Sequence, residues 1–259
     1  MNIAAIQYDI FWESPIKNKK YLDSCLNDLK NTDLIILPEM FTTGFSMNAS
    51  EIAEQHFGET CAWMQEKAKE LDTTIIGSIP VNEKSNYYNR LYIINKTNIQ
   101  YYDKKHLFTM ADEHLTYSSG YSDLIINING WNIKPLICYD LRFPLWSRNK
   151  VSNQLYAYDV LIYIANWPSV RSNAWINLLQ SRAIENLSYS IGLNRIGKDF
   201  NGIDYNGCSR VFNFKGERID SFVDNEFCIQ QIQLDKIQLD DFRSKFPVLN
   251  DADQFTLLE

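Results

Sequence analysis

Short apolar runs alternate with amphipathic helical stretches along nearly the whole chain. That alternation restricts the chain to a layered α/β or α+β architecture. Buried strands are predicted at 3–8, 34–37, 74–79, 91–94, 99–102, 133–138, 160–165, 189–193, 211–214 and 227–232. Between the first two, Tyr21, Leu22, Cys25, Leu26 and Leu29 recur at helical spacing, which predicts a helix over 17–30. Helices are also expected over 61–71 and 175–186. Lys96-Thr97-Asn98 separates two runs that read as paired strands, and Gly216 with Glu217 marks a turn. No repeat, low-complexity stretch or linker divides the sequence. Its 259 residues therefore fit one domain, 1–259, with the more polar 236–259 as a C-terminal arm over the surface or onto a partner subunit.

Composition removes several function classes. A formal net charge of −7 argues against a sequence-independent grip on nucleic acid phosphates, which needs clustered Lys and Arg. No stretch approaches ~18 uninterrupted apolar residues, so no membrane-spanning helix is expected. The opening Met1-Asn2-Ile3-Ala4-Ala5-Ile6-Gln7-Tyr8-Asp9 lacks a basic start and a long apolar centre, and reads as a first strand rather than an export signal. The five cysteines (Cys25, Cys61, Cys138, Cys208, Cys228) are odd in number and widely spaced, with no CxxC. Reduced thiols and a cytoplasmic setting are therefore expected. The three histidines form no ligand-spaced set with these cysteines, so zinc is not expected.

Three strand ends carry residues of chemical interest. Pro135-Leu136-Ile137-Cys138-Tyr139-Asp140 places a thiol at the carboxyl end of a buried strand, where a helix is expected to begin. Ligand sites in open α/β folds gather at such ends, and a helix N-terminus or nearby cation stabilises a thiolate. The alternative is an inert buried cysteine packing as a small hydrophobe. Leu34-Ile35-Ile36-Leu37-Pro38 leads into Glu39, whose desolvated carboxylate would be a better proton acceptor near neutrality; the other reading is a helix cap or surface charge. Lys104 and Lys105 follow the run ending at 102. Either could lower the pKa of a neighbouring thiol or face a developing oxyanion, or the pair could be a solvated basic turn. His56, His106 and His114 sit at no obvious strand end, so a Cys-His pair has little support, and His106 reads as a structural hydrogen-bonding residue.

Taken together, these segments resemble the nitrilase (carbon–nitrogen hydrolase) superfamily, whose members use a Glu–Lys–Cys triad. The resemblance assigns the glutamate to Glu39, the lysine to Lys104 in its K-x-H-L context, and the nucleophile to Cys138. A second family glutamate, seven residues before a glycine, matches Glu113 before Gly120. Further matching segments are Ala165-Asn166-Trp167-Pro168, Ser181-Arg182-Ala183-Ile184-Glu185-Asn186, Gly192-Leu193-Asn194-Arg195-Ile196-Gly197 and Tyr205-Asn206-Gly207-Cys208-Ser209, in family order. The implied fold is a four-layer α-β-β-α sandwich. The implied assembly is a homodimer, and no metal or organic cofactor is implied. Leu107 to Asp123 is expected as a loop over the site.

True nitrilases carry Trp-Glu after the cysteine, whereas this chain has Tyr139-Asp140, as amidase branches do. Asn166-Trp167-Pro168, Lys104-Lys105-His106-Leu107-Phe108 and the closing Phe246-Pro247 and Asp251-Ala252-Asp253-Gln254-Phe255 most resemble the omega-amidase branch. That branch hydrolyses the terminal amide of 2-oxo dicarboxylic monoamides such as 2-oxoglutaramate and 2-oxosuccinamate, through a cysteine thioester. The resemblance gives Glu39 the role of base, and Lys104 with the Tyr139 N–H that of oxyanion donors. Glu113 would orient Lys104 or the leaving group. A substrate carboxylate calls for a cation, and Arg142 and Arg171 are rival anchors. Trp167, Tyr139, Phe41 and Phe45 are expected to wall the pocket. Two other readings stand beside this one: another amidase of the superfamily, acting on N-carbamoyl amino acids or aliphatic amides, or a non-catalytic nitrilase-fold binding protein.

Overall fold

The computed structural model describes residues 1–27, 29–153 and 155–257. The main elements are β1 (Asn2–Gln7), α1 (Pro15–Leu26), β2 (Leu34–Ile36), α2 (Glu59–Glu70), β3 (Thr74–Glu83), β4 (Asn86–Ile94), β5 (Ile99–Asp103), β6 (Ile126–Ile128) and β7 (Trp131–Ile137). They continue with β8 (Val160–Ala165), α3 (Ser172–Asn186), β9 (Tyr189–Asn194), β10 (Arg210–Phe212), β11 (Cys228–Gln233) and α4 (Lys236–Lys245). One sheet runs in the order β11-β1-β2-β3-β4-β5 and the other in the order β10-β9-β8-β7-β6. In the first, β1, β2 and β3 are mutually parallel; in the second, β7, β8 and β9 are. The flanking pairs are antiparallel: β11 with β1, β4 with β3 and β5 with β4 in the first sheet, and β10 with β9 and β6 with β7 in the second.

Side-chain alternation explains the layering. Successive residues of a strand face opposite sides, and here both sides are apolar. Ile3, Ala5, Leu34, Ile36 and Ile76 join the core between the sheets, together with Ile133 and Ile162 of the second sheet. Their neighbours Ala4, Ile6, Ile35, Leu37 and Ile75 face outward onto Leu22 and Leu26 of α1 and Met64 and Ala68 of α2. On the other side α3 lies close against the second sheet: a Cβ at Gly192 would stand 2.2 Å from Leu179 Cδ1 and 2.7 Å from Trp175 Cζ2. A helix, two sheets and a helix thus form four layers, as the family resemblance implies. Near-continuous apolar runs are what strands covered on both faces require.

Several boundaries differ from the sequence expectations for identifiable reasons. The strand predicted at 91–94 begins at Asn86, because Asn89 and Arg90 are buried polar members of it. Arg90 is satisfied by a bidentate pair with Asp103 at 2.7 and 2.8 Å and by Glu83 at 2.7 Å. The helix expected to 30 stops at Leu26, with Pro15 in its first turn. The segment 236–259, read as an arm, begins with α4, whose N-cap Asp235 accepts from Gln238 N and which buries Leu239 and Arg243. Arg243 donates to Leu187 O, Tyr158 O and Asp159 Oδ1, each at 2.8 Å, and so pins α4 to the second sheet.

Candidate active site

Four strand ends meet at the site. Glu39 lies just beyond β2, Lys104 directly follows β5, Cys138 directly follows β7 and Asn166 directly follows β8. Such carboxyl ends are where α/β folds place ligands. The backbone leaves two of them through the left-handed region, with φ +45° at Cys138 and +44° at Met40, next to Glu39. Non-glycine residues rarely adopt that conformation, and it concentrates at functional sites.

Glu39, Lys104 and Glu113 are fully buried and touch one another. Lys104 Nζ donates to Glu39 Oε1 at 2.9 Å and to both Glu113 oxygens at 3.0 and 2.9 Å. Glu113 also accepts from Phe108 N at 2.6 Å, which fixes the loop carrying it. That loop contains a turn at Thr109–Ala111 and a short helix at Glu113–Thr116, so the expected irregular segment is partly ordered. Gly120 N donates to Lys104 O at 2.9 Å. A Cβ at Gly120 would meet Asp103 O at 2.1 Å, so only glycine lets the loop return this close.

Burial lowers the proton affinity of Lys104, but Glu113 and Glu39 outweigh it and hold the ammonium charged. Burial raises Glu113, with Lys104 opposing and Glu39 adding to the rise. The Cys138 thiol is pushed well above its usual range, first by burial and then by Glu39, and Lys104 does not offset this. Lys104 does act to lower the thiol, as expected of a neighbouring lysine, but burial and Glu39 outweigh it, so the net direction is upward. The anticipated helix N-terminus is also reduced. Cys138–Arg142 is a short 3-10 helix rather than an α-helix.

Asp140, fully buried, organises that turn. Its Oδ2 accepts from Ile137 N at 3.0 Å and Tyr102 OH at 2.8 Å, and its Oδ1 from His106 N at 3.0 Å. His106 Nδ1 lies 2.8 Å from the same oxygen, and its ring stacks on Phe143. His106 is thus a structural partner that ties the Lys104 strand end to the Cys138 turn.

A cavity of about 490 Å³, counting its open mouth, lies over Cys138. Phe45, Lys104, Tyr139, Arg142, Trp167 and Arg171 line it, so these sequence candidates come together. Phe41 does not: it is buried in the outer core and packs 6.0 Å from Trp63. Arg142 lies 4.9 Å from the Trp167 ring and Arg171 5.2 Å from the Phe108 ring. Neither guanidinium has a carboxylate partner among the described residues, and each lies within cation–π range of its ring.

Sequence reasoning missed two direct partners of Glu39. Asn89 Nδ2 donates to Glu39 Oε1 at 2.8 Å, and Asn166 N donates to Glu39 Oε2 at 2.7 Å. A buried asparagine within an apolar strand was the available signal for the first, since Asn is depleted from strands. The second stood in view within a matching segment at the end of β8.

Comparison with known proteins shows the family of the chain. The carbon-nitrogen hydrolase family model matches residues 2–241. The chain is 41% identical to the omega-amidase YafV of Escherichia coli strain K12, over 99% of this chain and 98% of that one. It is 32% identical to the 2-oxoglutaramate amidase of Bacillus subtilis strain 168, over 96% of each. A CN-hydrolase superfamily protein of Xanthomonas campestris, whose crystal structure holds an arsenic adduct in the active site, superposes with a TM-score of 0.96 at 37% identity. That match covers 99% of this chain and 98% of the other.

Proposed function

The chain belongs to the carbon–nitrogen hydrolase family, and from that premise we propose that it is an omega-amidase releasing ammonia from 2-oxo dicarboxylic monoamides such as 2-oxoglutaramate. Full-length similarity to an omega-amidase and a 2-oxoglutaramate amidase supports this reading. The single observation that carries it is a buried Glu39–Lys104–Glu113 cluster whose lysine reaches the cavity over Cys138, which also holds two guanidiniums without carboxylate partners among the described residues.

In the proposed mechanism the Cys138 sulfur bonds to the amide carbon while the thiol proton moves to Glu39. Oε1 already accepts from Asn89 and Lys104, whereas Oε2, among the described residues, accepts only from Asn166 N. Oε2 therefore keeps a lone pair for the proton. The transfer is internal, so the cluster gains no net charge even though free thiolate is disfavoured. Lys104 and the Tyr139 N–H receive the oxyanion. As the carbon–nitrogen bond breaks, the proton passes from Glu39 to nitrogen and ammonia leaves a thioester on Cys138. Water then adds to the thioester carbonyl, giving its proton to Glu39. The carbon–sulfur bond breaks, the acid departs and the thiol is restored. Glu113 holds Lys104 in place through both carboxylate oxygens.

Arg142 and Arg171 are proposed to take the substrate carboxylate, with Trp167, Tyr139 and Phe45 as walls. The chain is proposed to work as one domain over 1–259 and as a homodimer, for which sedimentation at twice 30.3 kDa is the check. Its five free cysteines favour a reducing compartment such as the cytoplasm. The deciding experiment measures ammonia release from 2-oxoglutaramate, an N-carbamoyl amino acid and a simple aliphatic amide. The 2-oxo amide should be preferred by at least about tenfold in kcat/KM, the value of one ordinary hydrogen bond. Preference for either of the others would transfer the chain to another amidase branch.

A further inference from the structure

Asn166 is 4% exposed and places its polar atoms around the reacting centre. Its N donates to Glu39 Oε2 at 2.7 Å, and its Nδ2 donates to Glu39 O at 2.6 Å. Its carbonyl oxygen stands 4.0 Å from Cys138 Sγ. The fourth atom, Oδ1, is buried and has no hydrogen-bond partner among the described residues. The bond from Nδ2 fixes which way the side-chain amide faces, so Oδ1 cannot exchange places with the donor. Asn166 also lines the cavity. A buried acceptor left without a donor costs stability unless something satisfies it. Because Asn166 lines the cavity over Cys138, an amide substrate held there brings an N–H group to the residue.

We propose that Asn166 Oδ1 accepts an N–H of the substrate amide and is the residue by which the site selects amides over esters. The inference rests on the omega-amidase reading above and deepens it. Attack of Cys138 turns the planar amide nitrogen pyramidal. Holding one N–H on Oδ1 leaves the new lone pair directed at Glu39 Oε2, which carries the thiol proton. The proton then moves to nitrogen, the carbon–nitrogen bond breaks and ammonia leaves. An ester of the same acid has no N–H to offer. It reaches the same thioester with loss of alcohol, without the help of Oδ1.

The experiment compares kcat/KM for 2-oxoglutaramate with that for the corresponding 5-methyl ester in wild type, Asn166→Ala and Asn166→Asp. Both substrates will lose rate in both variants, because Asn166 also holds Glu39, so the amide-to-ester ratio is the readout. In Asn166→Ala that ratio should fall by roughly tenfold, one hydrogen bond's worth. In Asn166→Asp, which keeps an acceptor oxygen, it should stay within about threefold of wild type. Should Asn166→Ala fail to fold, Asn166→Ser, too short to reach, replaces it. An unchanged ratio in the truncated variant, or an equal fall in Asn166→Asp, overturns the proposal. Absence of amide turnover in wild type would instead remove the omega-amidase reading itself.

Discussion

Cys138 combines a strained backbone, with φ +45°, and a thiol that its surroundings keep protonated. The sign matters for pH behaviour. A thiol raised above its ordinary 9.0 stays neutral throughout the physiological range and ionises only in alkali. The free enzyme should therefore show no Cys138 thiolate absorbance at neutral pH, in a difference titration against Cys138→Ser, while turning over substrate at that same pH. A strong neutral-pH thiolate signal would show that proton transfer to Glu39 is not needed. Arg142 and Arg171 can be separated by kinetics. Losing a charge-assisted contact to a substrate carboxylate costs about 1.5–3 kcal/mol, or roughly ten- to a hundredfold. The anchoring arginine's Ala variant should show that loss mainly in KM, and only for amides bearing a carboxylate. At this scale the sequence made Glu39, Lys104, Glu113 and Cys138 visible, because motif order singled them out. Asn89 and the unpartnered oxygen of Asn166 were not, since a hydrogen-bond deficit exists only once neighbours are placed.

Among the elements, the strands were the most legible part. Those covered on both faces must be largely apolar, and β2 and β8 are short unbroken apolar runs. Recognition failed where polar residues are buried for a purpose. The start of β4 was lost because Asn89 serves Glu39 and Arg90 serves Asp103 and Glu83. The C-terminal segment failed for a related reason: α4 presents little apolar surface, and a buried cation attaches it. Arg243 is 5% exposed and Asp159 is 3% exposed, and the pair also gains from Lys236. Removing one partner of a buried pair typically costs about 3–5 kcal/mol. Because Lys236 still covers Asp159, Arg243→Ala should lose about 3 kcal/mol in urea unfolding. A loss below about 0.5 kcal/mol, normal for surface substitutions, would mean that α4 is held by other contacts.

For the whole molecule, two sheets packed face to face bring four strand ends to one edge, where the reacting groups sit at the floor of a cavity. The layer order followed from a family resemblance rather than from periodicity, because double-sided burial erases the alternation that would show which face meets which layer. The excess of acidic residues, −7 overall, contrasts with the two guanidiniums in the cavity, which are proposed to attract the anionic substrate. Both the proposed chemistry and the proposed substrate depend on Cys138, and one comparison tests them together: ammonia release from 2-oxoglutaramate by wild type and by Cys138→Ala at equal concentration. Wild type should turn over repeatedly, and the variant should fall by about 10³-fold or more, as when a nucleophile is removed. Release by Cys138→Ala within tenfold of wild type would contradict a thioester on this sulfur.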